Sequence, residues 1–471
     1  MKTSLKKYIL AVALTASAGT MMAQELNSAY FIDDFKYRHD MNAAFGNDQT
    51  YIAIPALGNL NVRLQGSLGV GDVLFKNPDF GIKEGAKKTT TFMHPGISAS
   101  DALSGIDKDG NNLIFDMDIP IVSVGFKSFG GYNTIELKDR SHIAVQLPYS
   151  LFDFAKNMSN KQYSFDDLGA RGWNYVELGF GHSRQIMDNL RVGAKVKFLF
   201  GGAYVDLSMD DMQANLEGDK WILRGKAKAE LNMKGAKFKS EQKDYKGRTG
   251  YYNQVNGLDT DNLGLAGFGL GLDLGAVYEF KDFALDWLDG TKVSLALNDL
   301  GFISWNNSMV AESSGDPFEF TGFKMKYENG SFENGGDNIG DDLADFAHLE
   351  DKGEGSGKTT ALAATMRLGV EYPLPVYDKV TFGLLGTHRF DGDYSWTEGR
   401  LSANYKPLTW LDGGINMAVT SFCTTMGWVL NVHPKGMNVF MGMDHMVGKT
   451  GASSVPLDSN VSFNFGLNVA F

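Results

Sequence analysis

The stretch VSFNFGLNVAF, residues 461–471, decides the fold class. Its odd positions carry valine, phenylalanine or leucine, whereas its even positions carry small or polar residues. Successive side chains of a strand point to opposite faces of a sheet, so this stretch would form a strand with one apolar and one polar face. The same alternation recurs along the chain, which predicts a protein built from two-faced strands.

The pattern predicts fourteen strands, an even number that would leave both ends of the sheet on the same side. Counts of twelve and sixteen stay open, because strand boundaries are uncertain by about 2–4 residues. The predicted strands are 59–68, 114–126, 131–149, 173–186, 189–200, 263–280, 291–305, 360–372, 379–389, 395–405, 410–420, 423–433, 437–446 and 460–471.

A soluble β-sandwich would alternate in the same way, but the connections favour a barrel in lipid. Short turns alternate with long loops, as in outer-membrane barrels, and the aromatic Phe471 resembles the terminal recognition signal of such barrels. Hydrocarbon offers no water to satisfy a free strand edge, so the sheet has to close. We therefore expect an all-β fold, a closed antiparallel transmembrane β-barrel of about fourteen strands. Its long external loops are expected at about 71–113, 150–172, 201–262 and 306–358.

Composition excludes several other classes. The 56 glycines would weaken a helical bundle, and 32 Phe, 18 Tyr and 7 Trp are too many aromatics for a disordered chain. A single cysteine, Cys423, excludes an intramolecular disulfide and a cysteine-based zinc site. The formal charge of −12 argues against a basic nucleic-acid binder. We interpret the glycines between Gly264 and Gly275 as a means of curving a strand, in preference to a ligand cradle.

The first 23 residues have the layout of a secretory signal peptide. A basic start precedes an apolar run, Tyr8 to Ala18, that is shorter than the roughly 20 residues needed to span a bilayer. We expect cleavage after Ala23 and delivery to the cell outer membrane. Residues 24–58 are predicted to be a periplasmic or lumenal segment and 59–471 the barrel. The apolar stretch Tyr51–Leu57 is expected to lie within the lumen.

Two external segments carry opposite charge. Residues 306–358 have a net charge of −8, and residues 220–248 have a net charge of +7. The basic segment is predicted to be the return arm of a hairpin that turns at 218–220 and places Asp210 opposite Lys228. One hypothesis is that this arm packs against the acidic loop as a cap; two separate solvated arms, or lysines bound to lipopolysaccharide phosphates, are the alternatives. The residues of the external basic arm are Arg224, Lys226 and Lys228.

No catalytic centre is predicted. Barrel lipases need a serine with a nearby histidine, and the adjacent His182 and Ser183 would point to opposite faces of a strand. Asp391-Gly392-Asp393 and Asp444-His445 offer the residue types of barrel proteases, but the first motif is more typical of a tight turn. The eight histidines show no ligand spacing, and His433 beside Pro434 is interpreted as a turn residue. We expect no enzyme activity, no cofactor and no metal.

Two acidic segments have some features of calcium loops. Asp107-Lys108-Asp109-Gly110-Asn111 fails the full EF-hand spacing, because its glycine comes too early and no glutamate stands at the twelfth position. Four aspartates between Asp337 and Asp345 fit a short surface helix equally well. We interpret the first segment as a polar turn, and calcium binding in the external loops stays open.

Five charged residues are predicted to point into the lumen, because each alternates with apolar residues along its strand. Barrel interiors are normally polar, so the favoured interpretation is that these side chains pair with one another and fill the interior. The alternative is a selectivity ring for an anionic or amphipathic solute. The five residues are Arg191, Lys195, Lys197, Arg367 and Glu371.

Several short motifs resemble those of a known family. They are Asn42-Ala43-Ala44-Phe45, YIAIPALGN at 51–59, Val124-Gly125-Phe126-Lys127, Gln146-Leu147-Pro148 and LRVGAKVKFL at 190–199. Together they resemble the uncharacterised outer-membrane barrels of Bacteroidota, a domain of unknown function akin to long-chain fatty-acid transporter-like barrels and to barrel partners of the type IX secretion system. The resemblance covers nearly the whole mature chain and implies a fourteen-stranded barrel, but no substrate. The family's usual proline after Asn42 is alanine here, which affects only the local turn.

Two functions are predicted. The first is a conduit or receptor for a small apolar or amphipathic solute, as the transporter-like barrels imply. The alternative is a non-transporting scaffold, accessory to a secretion system, that docks secreted or surface proteins through the charged loops. Outer-membrane lipid and lipopolysaccharide are the expected surroundings, nucleic acid is not expected to bind, and the barrel is expected to be a monomer.

Overall fold

A computed structural model describes residues 25–471, apart from 84–85, 158–159, 219, 245–249, 261–262, 282–285, 314–316, 321–326, 329–330, 333–348 and 446–459. Within these residues, fourteen antiparallel strands form the wall of a closed sheet. Numbered along the chain, they are β1 (Tyr51–Ala53 and Leu60–Gly66), β2 (Asn111–Ser128), β3 (Gly131–Leu147), β4 (Leu168–Met187), β5 (Leu190–Glu217), β6 (Gly267–Glu279), β7 (Lys292–Trp305), β8 (Lys358–Ala361 and Ala364–Pro373), β9 (Val380–Phe390), β10 (Trp396–Leu408), β11 (Leu411–Thr420), β12 (Thr424–Val432), β13 (Asn438–Met443) and β14 (Val461–Ala470).

The ring closes at β1. Its two parts pair with β2 on one side and with β14 on the other, and Ile52 stands in register with both Val124 and Val469. β13 pairs with β14, so the first and last strands of the wall meet. The prediction of a closed antiparallel barrel with fourteen strands is confirmed.

The wall has an apolar outer face and a polar inner face, as the alternation predicts. In β9, Phe382 and Leu384 are exposed outward, whereas Thr387 and Arg389 on the other face are buried. An apolar belt on a barrel exterior is typical of contact with lipid. Other outward members of the belt are Phe180, Val196, Phe268, Leu270, Leu295, Phe302, Leu368, Leu401, Ile415 and Val419.

The two ends of the barrel differ. At one end, called here the short-turn end, neighbouring strands are joined by short connections such as 129–130, 188–189 and 409–410. The wall both begins and finishes at this end, because Tyr51 pairs with Ala470. The opposite, long-loop end carries the longer connections, which include 67–110 and 306–357.

An external layer of additional strands extends the wall at the long-loop end. The outer half of β5 continues into it, and its buried core includes Phe154, Met209, Met212 and Leu223. The layer consists of the helix Tyr149–Lys156 and the strands Gln162–Ser164, Lys220–Asn232, Ala236–Asp244, Tyr251–Thr260, Met309–Ser313, Phe318–Phe320 and Leu349–Glu354.

The predicted hairpin exists, but its return arm, predicted over 220–248, ends at Asn232, and its predicted register is wrong; Ala236–Asp244 pairs with Tyr251–Thr260 instead. Lys226 stands opposite Asp210, and Lys228 stands opposite Ser208. The register shifts between Arg224 and Lys226, where Gly225 adopts a φ of 152° and Asp211 on the facing strand has a φ of 53°. The error has two equal parts: Lys220 pairs with Glu217 next to the turn, which is already one residue from the predicted register, and the β-bulge displaces the pairing beyond it by one more.

The remaining elements are short. No helix in the described part of the chain has both the length and the apolar character needed to cross a membrane. In the candidate calcium loop, the backbone N–H of Asp109 donates to the Asp107 carboxylate, which is the geometry of a polar turn; Asp337, Asp341, Asp342 and Asp345 lie outside the described residues. The short elements are the helical turns Asn27–Ala29, Arg38–Met41, Val70–Val73, Ala99–Ala102, Asp286–Leu288 and Gly392–Tyr394, and the strands Leu74–Lys76, Thr89–Thr91, Tyr327–Glu328 and Ser331–Phe332.

Candidate functional site

The N-terminal segment 25–48, called here the plug, occupies the lumen. The Tyr30 hydroxyl lies 3.0 Å from the Ser294 hydroxyl on β7, and the Tyr37 hydroxyl donates a 2.7 Å hydrogen bond to Asn468 on β14. Because β7 and β14 lie on opposite sides of a fourteen-stranded ring, the plug crosses the interior from wall to wall. Most of its side chains are buried, including Phe31.

The expectation that Tyr51–Leu57 lies in the lumen is wrong. Tyr51–Ala53 is the first part of β1, and Ile52 is 46% exposed on the outer face. Residues 54–59 interrupt the strand, and the backbone N–H of Ala56 donates to the Pro120 carbonyl of β2. The wall therefore begins at Tyr51, which precedes the predicted boundary at residue 59.

Wall glycines provide the space for the plug. A Cβ atom built on Gly275 would lie 2.0 Å from Asn42 Oδ1, and one built on Gly193 would lie 1.9 Å from the Ala43 carbonyl oxygen. Strand glycines often mark such a close approach of another backbone. The interpretation of Gly275 as a curvature residue is therefore incomplete, because its missing side chain admits the plug. The same contact between plug and wall occurs at Gly369, Gly383 and Gly442.

A compact cluster of charges fixes the middle of the plug. The Asp40 carboxylate lies 2.6 Å from Lys138 Nζ and 2.7 Å from Lys195 Nζ, and both lysines also contact Glu136. Burial by itself would raise the pKa of Asp40. The attraction of Lys138 and Lys195 outweighs that rise, so the pKa of Asp40 lies well below its usual value. His39 completes the cluster, because its Nδ1 lies 3.3 Å from Asp40; its Nε2 lies 2.8 Å from the Tyr51 hydroxyl.

The two ends of the plug are also held by charged groups. At the start, Glu25 lies 2.6 Å from the Arg367 guanidinium on β8. Burial raises the pKa of Glu25, and Arg367 opposes that shift. Farther along, Asp33 contacts Arg38 within the plug and lies 3.4 Å from Lys292 on β7. Acidic groups of the plug are thus placed against cations of the wall.

A separate charge cluster belongs to the wall alone. Asp299 lies 2.8 Å from Arg140 and 2.7 Å from Lys197, and Lys197 lies 2.8 Å from Asp273. Asp299 has a positive φ of 58°, and the pairing of β6 with β7 shifts register beside Asp273. The bulge turns both carboxylates toward the same lysine, so the irregular backbone here positions charge.

The five predicted lumen residues have the following positions. Lys195, Lys197, Arg367 and Glu371 are each at most 5% exposed and take part in ion pairs with the plug or the wall. Arg191 lies beside the end of the plug, because a Cβ built on Gly46 would lie 2.2 Å from its guanidinium. These five side chains do not form a single ring, since the plug separates them.

The two candidate protease motifs lie in separate buried clusters. Asp391 lies 3.2 Å from His142 Nε2, and His142 Nδ1 lies 2.7 Å from Asp116. The Asp444 carboxylate accepts the backbone N–H groups of Asn27 and Ser28, so it anchors the first turn of the plug. A structural role therefore accounts for both motifs.

The external basic arm lies against the acidic loop. The strand Lys220–Asn232 pairs with Met309–Ser313, with Lys228 opposite Glu312. Lys228 Nζ lies 2.7 Å from Glu230, and Arg224 lies 2.6 Å from Glu217. These ion pairs are largely exposed.

The profile of a family of unknown function, DUF5723, matches residues 43–444 of the sequence. The chain belongs to this family. The matched part includes the end of the plug and nearly the whole wall. No curated protein sequence matches the chain.

Solved outer-membrane barrels are similar in architecture to this DUF5723 chain. The toluene transporter TbuX of Ralstonia pickettii has a TM-score of 0.40 and 9% identity, with 97% of this chain and 96% of the transporter covered. The toluene transporter TodX of Pseudomonas putida has a TM-score of 0.39 and 8% identity, with coverage of 96% and 95%. A FadL homologue of Pseudomonas aeruginosa has a TM-score of 0.40 and 9% identity, with coverage of 96% and 99%. At TM-scores below 0.5 these likenesses assign no solute to the chain.

Several residues of this family member that hold the plug or form the charge cluster of the wall were missed at the level of sequence. Glu136, Lys138 and Arg140 stand at alternate positions of β3 and all point inward. This alternation of charge was a usable signal for the inner face of β3. The partnership of Asp40 with Lys138 and Lys195 had no such signal, because the plug itself has no strand periodicity.

Proposed function

We propose that this protein is an outer-membrane barrel that handles a small amphipathic solute, with the plug as its gate. The apolar belt of the wall supports the membrane location. The plug contributes no strand to the wall and continues into it only at Tyr51, so it can leave the lumen without opening the ring. One observation carries the proposal: the plug presents carboxylates to wall cations and aromatic rings to the rest of the interior.

The chemistry of the plug indicates the class of solute. Glu25, Asp33 and Asp40 neutralise Arg367, Lys292, and the pair Lys138 and Lys195, respectively. Withdrawal of the plug would leave these wall cations without those partners. The apolar part of the plug, which includes Tyr30, Phe31, Phe35 and Phe45, leaves with its carboxylates. A solute with an anionic head and an apolar body would replace both kinds of contact.

Uptake into vesicles tests this function. The mature chain, and a variant lacking residues 25–48, would be reconstituted into vesicles whose outer leaflet is lipopolysaccharide, which slows spontaneous entry of apolar molecules. A fluorescent medium-chain carboxylate and its uncharged primary amide would be compared. We expect faster uptake of the carboxylate, and a further increase on removal of the plug. Equal rates for both compounds in both proteins would overturn the proposal.

A scaffold role is the second candidate, and the external layer favours it. This layer has its own buried core around Met212 and Leu223, with an exposed basic arm on its surface. The plug already closes the lumen, so an external layer is not needed for that purpose. Chemical cross-linking in native membranes, with and without residues 306–358, would reveal a protein partner; absence of any loop-dependent cross-link would rule against this role.

A further inference from the structure

Three side chains with metal-binding groups meet at the short-turn end of the barrel. Asp34 belongs to the plug, Asp412 lies at the start of β11, and His433 directly follows β12. His433 Nε2 lies 3.2 Å from Asp412 Oδ2 and 3.7 Å from Asp34 Oδ2. All three ligand atoms lie within 4.8 Å of one another.

These separations match the coordination sphere of a metal ion. Zn²⁺ binds histidine nitrogen and carboxylate oxygen at about 2.0–2.2 Å in a tetrahedral arrangement, which places ligand atoms about 3.3–3.5 Å apart. The 3.7 Å separation of His433 from Asp34 is too long for a hydrogen bond. The three groups are thus arranged around a common point.

A second observation points to a ligand. The Asp412 side chain is only 5% exposed, and its Oδ1 has no hydrogen-bond partner among the described residues. Burial of a carboxylate oxygen without a partner is costly, and a metal ion held by both oxygens of Asp412 would remove that cost. Asp34 is 22% exposed, so the cluster is accessible from the short-turn end.

The surrounding cations leave room for a metal ion. Lys406 contacts the Asp34 carboxylate, but its side chain is 46% exposed and can turn into solvent. Lys36 lies deeper and donates to Asn47 and Gln49. The cluster of His39, Asp40 and Glu136 differs, because Lys138 and Lys195 already occupy the space between its carboxylates.

We propose that Asp34, Asp412 and His433 form a binding site for a divalent transition-metal ion, with Zn²⁺ as the best fit. One imidazole and two carboxylates with an accessible fourth position suit Zn²⁺ better than Ca²⁺, which takes six to eight oxygen ligands. Because Asp34 belongs to the plug and the other two ligands belong to the wall, the ion ties the plug to the barrel. His433 lies in the short connection after β12, in agreement with its interpretation as a turn residue, and the proposal adds a ligand role to it. The proposal requires only a docked plug and does not depend on the solute.

Titration of the full mature chain in detergent tests the site. After chelator treatment and dialysis, calorimetric titration with Zn²⁺ should show one site per chain. H433Q and D34N should each weaken binding at least about tenfold. H388Q is the control, because His388 is exposed and pairs with Thr397. K406M should bind Zn²⁺ more tightly than the wild type, since a competing cation is gone.

Two further measurements keep the result clear if a variant folds poorly. Co²⁺ bound to the wild type should give the intense visible absorption of a tetrahedral site with nitrogen and oxygen ligands. Zn²⁺ should also protect the plug from protease in the wild type and in H388Q, but not in H433Q. No Zn²⁺ binding by the wild type, or equal affinity in H433Q, D34N and H388Q, would overturn the proposal. Solute uptake is not measured, so failure of the transport proposal leaves this test intact.

Discussion

The lumen and the external layer both contain a buried apolar cluster, but they place their ion pairs differently. In the lumen, the plug is held by buried ion pairs around Asp40 and by backbone contacts at wall glycines such as Gly275. In the external layer, residues such as Leu223 form an apolar core, and the ion pairs, such as that of Lys228 with Glu230, lie on the surface. Both regions belong to the same chain, so the difference does not come from separate proteins.

The difference follows from what surrounds each region. The external layer has water on its outside, so burial of apolar side chains stabilises it as in any soluble domain. The wall faces lipid, so most of its apolar side chains point outward, and its inner face carries many charged groups beside the apolar contacts of the plug. Buried ion pairs give specificity of position, and breaking one of them is costly. The plug should therefore respond sharply to changes of charge, and the external layer to changes of volume.

The largest effect is expected for Asp40→Ala. This change leaves Lys138 and Lys195 buried with a single carboxylate, Glu136, and should weaken docking of the plug by about 3–5 kcal/mol. Planar-bilayer recordings should then show frequent open events. Asp48→Ala is the control, because Asp48 is an exposed plug acid that pairs with Lys127. Closed channels in Asp40→Ala would contradict the importance of the central cluster.

In the external layer, Leu223→Ala should cost about 2–5 kcal/mol of local stability, because Leu223 is fully buried in the apolar core. Limited proteolysis should cut the hairpin sooner, while the heat resistance of the barrel on gels stays unchanged. Ile222→Ala is the matched control, since its side chain is on the other face and only partly buried. A loss of barrel heat resistance would show that the two regions are coupled.

Gly275→Ala tests the space that the wall leaves for the plug. The new methyl group would meet Asn42 Oδ1 at 2.0 Å and the Ala44 nitrogen at 2.5 Å, and we expect a cost of about 1–3 kcal/mol in docking. Protease sensitivity of the plug is the measurement. Gly399→Ala makes the same change on β10, where no atom of the described residues lies within 4 Å of the new methyl group, and should have no effect. Equal behaviour of the two variants would refute the idea of glycine pockets.

A pH effect is expected from Lys36. Burial lowers the pKa of its ammonium to about 8 when the plug is docked, from an ordinary value of 10.5. Between these values the undocked plug holds more protons, so rising pH should favour docking, by up to about 1.4 kcal/mol per pH unit. Protease protection of the plug measured from pH 8 to pH 10 should increase. Lys36→Met should remove this slope; a slope that persists would assign it to another group.

The smallest effect is expected for Lys228→Glu. This lysine pairs with Glu230 and Glu312 at an exposed site, and such pairs contribute about 0–1 kcal/mol. Protease protection of the hairpin should change little, and the change should be smaller still at high salt, which screens exposed charges. Lys226→Glu, opposite Asp210, is the companion variant. Exposure of the hairpin after either change would mean that charge, and not the apolar core, holds the cap.

The wall could be predicted from sequence because its signal is local. The predicted strand 291–305 corresponds to Lys292–Trp305, and 379–389 corresponds to Val380–Phe390. Each strand lies between lipid and a polar interior, so its own alternation encodes both its position and its faces. The high aromatic and glycine content of the chain agrees with a wall built from such strands.

The plug and the cluster of Asp34, Asp412 and His433 could not be predicted in the same way. Their partners are distant in sequence, and the plug has no periodic residue pattern that would predict its contacts. The register of the external hairpin failed for a different reason, since half of the error arises at the turn, where Lys220 pairs with Glu217, and half at a bulge. A glycine inside a strand signals a possible bulge, but whether Gly225 forms one depends on the facing residue, Asp211, which adopts a positive φ.

The place of β1 has a consequence for biogenesis. The plug directly precedes β1 along the chain, yet β1 must join β14, the last strand of the wall to be made. The seam between β1 and β14 can therefore close first, and the plug can enter afterwards through the short-turn end, because only its continuation into Tyr51 ties it to the wall. Closure of the cylinder and docking of the plug are thus separable steps of assembly.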